Sequence, residues 1–210
     1  MLTLDGVADW PLWSFQAKRA ASSRPQRSME YLPHDAISPS RVSHTLKRNS
    51  TLISKPYEDI KTGDTATTNS RIITGEYVRA FGELTGDNHP LHTNAQYAEQ
   101  TRFGKQIAHG ALMISTLLGL VELHPSYLQC FYSLDNLRFK APSYFGDSVY
   151  AVCEILAVTP HKDGESAVVT SAAKLINQDG VTVLSGDFSL LVAGRSTALA
   201  DPALKAQGAP

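Results

Sequence analysis

Cysteine is scarce in this chain. Cys130 and Cys153 are the only two in 210 residues, each alone in an apolar stretch and neither in CxxC spacing. They read as small buried hydrophobes in a reducing compartment, with pairing between them left open. An excess of charge is also missing: 19 basic side chains face 20 acidic ones, for a formal net charge of −1. That balance gives no electrostatic basis for nucleic acid or for an anionic membrane surface. No apolar run is long enough to cross a bilayer, and the longest, residues 111–121, reads as a core helix. There is no glycine-rich phosphate loop, so no nucleotide redox cofactor is indicated. No G-x-S-x-G elbow is present, and Ser115 and Thr116 read as residues bonded back to an apolar helix rather than as nucleophiles. His34, His44, His124 and His161 are scattered without metal-ligand spacing, so no metal is expected.

What is present is a globular profile, 42% apolar and 19% charged, with length for one ordinary domain and tails. Residues 1–54 are rich in serine, proline and basic side chains such as Lys18, Arg19 and Arg24, with no apolar period and no secretory core. They read as a flexible extension, dispensable for activity. Their Arg- and Ser-rich composition is also similar to a mitochondrial transit segment, although Asp5 and Asp9 fall where such segments avoid acids. A cytoplasmic location is therefore expected, with a mitochondrial one as the alternative. The domain is expected over residues 55–193, and residues 194–210, rich in Ala, Pro and Gly, read as a disordered tail.

Within the domain, Gly63-Asp64 marks a turn before a short strand near residues 66–72. Thr74 is placed to cap a helix carrying Val78, Phe81 and Leu84 at helical spacing, and Gly86 to end it. Asn94 is placed to cap a second short helix. Residues 111–123 form a helix apolar almost all round, which other structure must wrap, and His124-Pro125 stops it. Four strands follow, over residues 131–139, 148–158, 166–177 and 181–192, with hairpin signals at Asp163-Gly164 and Asp179-Gly180. One buried helix followed by a run of antiparallel strands is an α+β pattern. A long central helix wrapped by a curved antiparallel sheet is the hot-dog fold, and the lack of an internal repeat implies one such unit.

The densest cluster of chemistry is Leu84-Thr-Gly-Asp-Asn-His-Pro-Leu-His92. It sets the carboxylate of Asp87 and the imidazole of His92 five residues apart on a loop punctuated by Gly86 and Pro90. Such a pair can orient water and move its protons. The residues alone leave a plainer account open, with Asp87 as a turn residue, Pro90 as a helix stop and His92 as a surface histidine.

Residues 85–92, with Ala108-His-Gly-Ala-Leu112 downstream, resemble the MaoC-like dehydratase and R-specific enoyl-CoA hydratase family. That family carries an [ST]-G-D-x-N-P-x-H signature and a downstream His-Gly that opens the hot-dog helix. The similarity continues through Leu137-Arg-Phe-Lys-Ala-Pro142 and Phe145-Gly-Asp147 and covers residues 57–192. The resemblance implies Asp87 and His92 as catalytic residues and Gly110 as the glycine whose N–H polarises a thioester carbonyl. Gly110 also stands where a helix N-terminus favours developing negative charge. The chain departs from the signature at His89, where the family commonly has Asn, with Asn88 beside it. Asn88, His89 and Pro90 are expected to orient the pair from behind.

The resemblance further implies reversible hydration of trans-2-enoyl thioesters to (R)-3-hydroxyacyl thioesters. Asp87 and His92 would hold the water, one removing its proton and the other supplying a proton to Cα. No cofactor is expected beyond the coenzyme A or acyl carrier protein that bears the substrate, and a homodimer is implied. Arg138 and Lys140 read as solvated strand ends, with contact to coenzyme A phosphates as the alternative. Two rival readings are an acyl-thioester hydrolase and a non-catalytic acyl-binding subunit. Hydrolases of this fold often place a carboxylate on the central helix, where this chain has only Glu122 at the far end.

Overall fold

The computed structural model describes residues 51–162 and 164–199. Four α-helical pieces precede the four long strands of the main sheet. Helix α1 (Gly75–Thr85) starts where Thr74 Oγ1 accepts a hydrogen bond from Tyr77 N and ends at Gly86, which is left-handed at φ 81°. Both caps fall on the residues the sequence singled out. The loop after Gly86 turns into a short helix α2 (Pro90–Thr93), and Asn94 Oδ1 then accepts from Tyr97 N to open α3 (Ala95–Glu99). Helix α4 (Gly110–Leu120) is the apolar one, with Leu112, Met113 and Leu117 almost fully buried.

The sheet is built from β2 (Thr65–Thr67), β5 (Leu128–Phe139), β6 (Ser148–Pro160), β7 (Ser166–Ile176) and β8 (Thr182–Ala193), with β3 (Arg71–Ile72) also pairing β6. Its order is β2-β6-β7-β8-β5, antiparallel throughout. The Asp179-Gly180 turn closes β7 on β8, with Asn177 N donating to Val181 O and Gly180 at φ 76°. The turn before β7 is closed by His161 N donating to Ser166 O. Alternating burial along β6 and β7 turns Val149, Ala151, Cys153, Ile155, Val169 and Leu175 toward α4 to make one core. Antiparallel hairpins with one covered face give this alternation. Cys153 is buried and Cys130 exposed, and both are free thiols.

Several sequence expectations need correction. The apolar helix ends at Leu120, not near residue 123, because Glu122 and Leu123 are extended as β4 and pair with β1 (Thr51–Ile53). His124 N donates to Ile53 O, which extends the attachment by one residue. Strand β1 lies in the segment expected to be a dispensable extension, yet Leu52 and Ile53 are buried in the core. The domain therefore begins no later than Thr51. It also runs past residue 193: Gly194 N donates to Glu165 O, Arg195 pairs with Asp59, and Leu199 N donates to Ser126 O. The rest of the expected extension and tail lies outside the described residues. Wrapping of α4 is incomplete as well, since Ala111, Ser115 and Gly119 leave an exposed stripe.

Candidate active site

The loop between α1 and α2 is held by its own polar groups. Thr85 Oγ1 donates to Phe81 O, Asp87 Oδ1 accepts from His89 N at 3.4 Å, and His89 Nδ1 accepts from Leu91 N at 3.2 Å. His89 is thus the N-cap of α2, with Pro90 as its first residue, where a missing N–H does no harm. The His89 ring meets Tyr97 edge-on at 5.8 Å and lies 6.1 Å from the His92 ring. Asn88 sits behind the loop, its Oδ1 facing Gly82 of α1.

His92, on α2, is half-buried. Its Nδ1 lies 2.7 Å from Ile107 O. A carbonyl oxygen only accepts, so Nδ1 carries the hydrogen and Nε2 presents a lone pair. Burial pushes the pKa of His92 below the usual imidazole value; the Ile107 carbonyl and the Asp87 charge oppose that shift, and the neighbouring His109 adds to it. Gln106 Nε2 donates to His92 O, tying α2 to the segment that leads into α4. Asp87 is exposed, and one carboxylate oxygen, a ring nitrogen of His92 and a ring nitrogen of His109 all lie within 4.8 Å of one another. That span fits a single water bridging the carboxylate and an imidazole with two ordinary hydrogen bonds. The same three groups are the one set among the described residues with metal-ligand proximity. His109 Nε2 is taken by the Asp87 carbonyl, so Nδ1 is the one nitrogen of that ring with a free lone pair.

His92 and Gly110 line one cavity of about 440 Å³, within the range of small-molecule sites. Its walls are mostly apolar, from Phe103, Ile107, Met113, Phe139 and Val183, with Arg102 and Lys140 as its cations. Asp87 stands outside this lining. Gly110 is the first residue of α4, where the N–H has no partner within the helix. The Phe139 ring packs on it so closely that a Cβ at this position would lie 2.8 Å from Cζ of Phe139. Glycine leaves room for an approaching carbonyl without displacing the ring. Lys140 therefore borders the cavity, whereas Arg138 Nη1 donates to Leu137 O and does not line it. Thr116 Oγ1 lies 3.4 Å from Tyr77 Oη rather than bonding back along its helix. Glu122 is off α4 altogether, in β4, where it accepts from Thr51 Oγ1.

Sequence reasoning passed over two buried polar groups here. His109 entered only as half of a His-Gly doublet, yet its ring lies 3.9 Å from that of His92. Ser143, buried at the cavity wall, has an Oγ with no partner, while its carbonyl accepts from Ala108 N. No periodicity marks either residue, and the His-Gly doublet by itself gives His109 no role of its own.

Residues 59–177 match the family described as the MaoC like domain. An (R)-specific enoyl-CoA hydratase of Rhodospirillum rubrum is 32% identical over 147 residues, which span 69% of this chain and 96% of that protein. The (R)-hydratase of Aeromonas caviae superposes with a TM-score of 0.54 at 26% identity, over 63% of this chain and 97% of its own. A Mycobacterium tuberculosis protein described as a double hotdog fold superposes with a TM-score of 0.61 at 15% identity, over 69% of this chain and 46% of its own, a likeness of fold alone. With a hot-dog architecture, a family match over more than half its length and a hydratase relative covered almost end to end, the chain belongs to the MaoC-like dehydratase family and is an enzyme of the hydro-lyase class.

Proposed function

We propose that this enzyme adds water reversibly across the trans-2 double bond of an acyl thioester to give the (R)-3-hydroxyacyl thioester, with Asp87 and His92 as a dyad that holds the water between them and His92 moving its proton. The observation that carries the reading is the placement of the Asp87 carboxylate within one water's span of a ring nitrogen of His92, with His92 facing the apolar cavity. A neutral imidazole with a free Nε2 is a general base at neutral pH. In the hydration direction Asp87 accepts one O–H of the water and His92 Nε2 takes the proton of the other as oxygen bonds to Cβ. The electron pair of the double bond moves to the thioester oxygen, where the Gly110 N–H and the α4 terminus stabilise it. The imidazolium then returns its proton to Cα, so both hydrogens of water end in the product and the pair is regenerated. No cofactor takes part beyond the coenzyme A or carrier protein that bears the acyl group.

The partner state belongs to the same reading. Among the described residues, strand β5 is an edge strand of 12 residues, paired only with β8, and exposes Phe131 and Tyr132. A long, apolar, unpaired edge is a template for another chain. A second copy paired there would also flank Phe139 and the cavity, giving a homodimer with a substrate tunnel near the contact.

Hydrolysis is the rival chemistry, and the displacement of Glu122 from α4 removes the one carboxylate that favoured it. The test is hydration of crotonyl-CoA by the full chain. Loss of the enoyl absorbance without release of free thiol is expected, and release of coenzyme A thiol at a matching rate would overturn the assignment.

A further inference from the structure

We propose that His109 is a positioning residue that sets the Asp87–His92 geometry by anchoring the main chain of the catalytic loop to the start of α4. The inference rests on the roles given to Asp87 and His92 above. The side chain is almost fully buried, and its Nε2 lies 2.8 Å from the carbonyl oxygen of Asp87. Because that oxygen only accepts, Nε2 carries the hydrogen and Nδ1 is a bare lone pair. Nδ1 has no hydrogen-bond partner. Buried polar atoms are nearly always paired, so an orphan nitrogen is a cost retained for a reason. Packing is not that reason. A phenyl ring would fill the same space with no unpaired nitrogen, and it would lack only the N–H that reaches Asp87.

Three elements converge on this ring. It lies 3.9 Å from His92 with the planes 34° apart, and 5.2 Å from Phe81 of α1. Gly82 of α1 also closes on the loop: a Cβ there would come within 3.1 Å of the Asp87 carbonyl oxygen and 3.7 Å of His109 Cε1. The carbonyl of Asp87 is thus held between the His109 N–H and the bare backbone of Gly82. Its own side chain, exposed and bonded only weakly within the loop, takes its direction from that fixed main chain. His109 is at the same time the N-cap of the helix that begins with Gly110. One ring therefore ties together the water-binding carboxylate, the base and the N–H of the oxyanion position.

The test uses the two amides that mimic the two ring nitrogens. Glutamine places its amide nitrogen where Nε2 stands, whereas asparagine reaches only the place of Nδ1. His109→Gln should keep kcat for crotonyl-CoA hydration within about tenfold, and His109→Asn should lose about 10²-fold, the cost of displacing a reacting group by roughly 1 Å. KM should change little in either. Gly82→Ala, which favours the helix, presses on the same carbonyl from the other side and should lower kcat by at least about tenfold at a similar KM. Equal activity of the Gln and Asn variants, or Asn above Gln, overturns the proposal. If neither His109 variant folds, as read by circular dichroism, an unchanged kcat in Gly82→Ala overturns it alone. Full activity in His92→Ala would instead overturn the catalytic reading on which the proposal depends.

Discussion

His92 has one ring nitrogen hydrogen-bonded to the Ile107 carbonyl and the other left as a lone pair, and burial disfavours its charged form. The catalytically useful state is the neutral one, so kcat/KM should be flat at neutral pH and fall on the acid side. Because the folded pKa is lowered, the midpoint of that acid limb should lie below the ordinary value of 6.5. A pH series of kcat/KM on crotonyl-CoA checks this, and an acid limb centred above 6.5 would contradict His92 as the base. The same shift makes the unfolded chain bind the proton more readily, so this group's share of stability is lost as pH falls from about 6.5 through the folded pKa. Asp87, His92 and Gly110 were legible as candidates because two short motifs carry them; Asp87 lies within 4.8 Å of a ring nitrogen of His92, and His92 shares a cavity wall with Gly110. His109 was not legible, since its partner is a main-chain carbonyl 22 residues away, and main-chain partners leave no trace in residue types.

Among the elements, α1 and α3 announce themselves through Thr74, Gly86 and Asn94, whose side chains or backbone make the caps observed. Strands β6, β7 and β8 follow from alternation and from turn residues such as Asp179-Gly180, and their ends differ from expectation by a residue or two. Strand β1 had no such signal. Three residues carry no period, and their pairing with Glu122 and Leu123 joins segments far apart in sequence. That pairing is also why α4 stops at Leu120, three residues before the apolar pattern ends. The consequence is measurable. Ile53 is fully buried, so Ile53→Ala should cost about 2–5 kcal/mol, read as a lower urea midpoint at unchanged slope. A chain beginning at Ser54 loses Leu52 and Ile53 together and should be less stable still. Equal midpoints for that chain and the full chain would return β1 to the status of a dispensable tail.

For the molecule as a whole, the exposed stripe of α4 and the open edge at β5 go together: the described residues alone do not close the hot-dog layer. Among the described residues no helix is long and apolar enough to cross a membrane, so these apolar surfaces are not explained by a membrane span of that kind. Pairing of two copies through β5 predicts a dimer mass by light scattering, and Tyr132→Asp, which places like charges at the edge, should shift it toward the monomer. A wild-type chain that is monomeric at micromolar concentration would contradict that assembly. The most direct test of the central claim, that Asp87 and His92 act together on one water, is a double-mutant cycle. It takes kcat/KM on crotonyl-CoA for the wild type, Asp87→Asn, His92→Ala and the double variant, with folding checked by circular dichroism. Each single change should cost about 10²–10⁴-fold, and the double should be about as slow as the worse single, because groups that act as a unit are strongly non-additive. Free energies that simply add, or near wild-type turnover in either single variant, would contradict it.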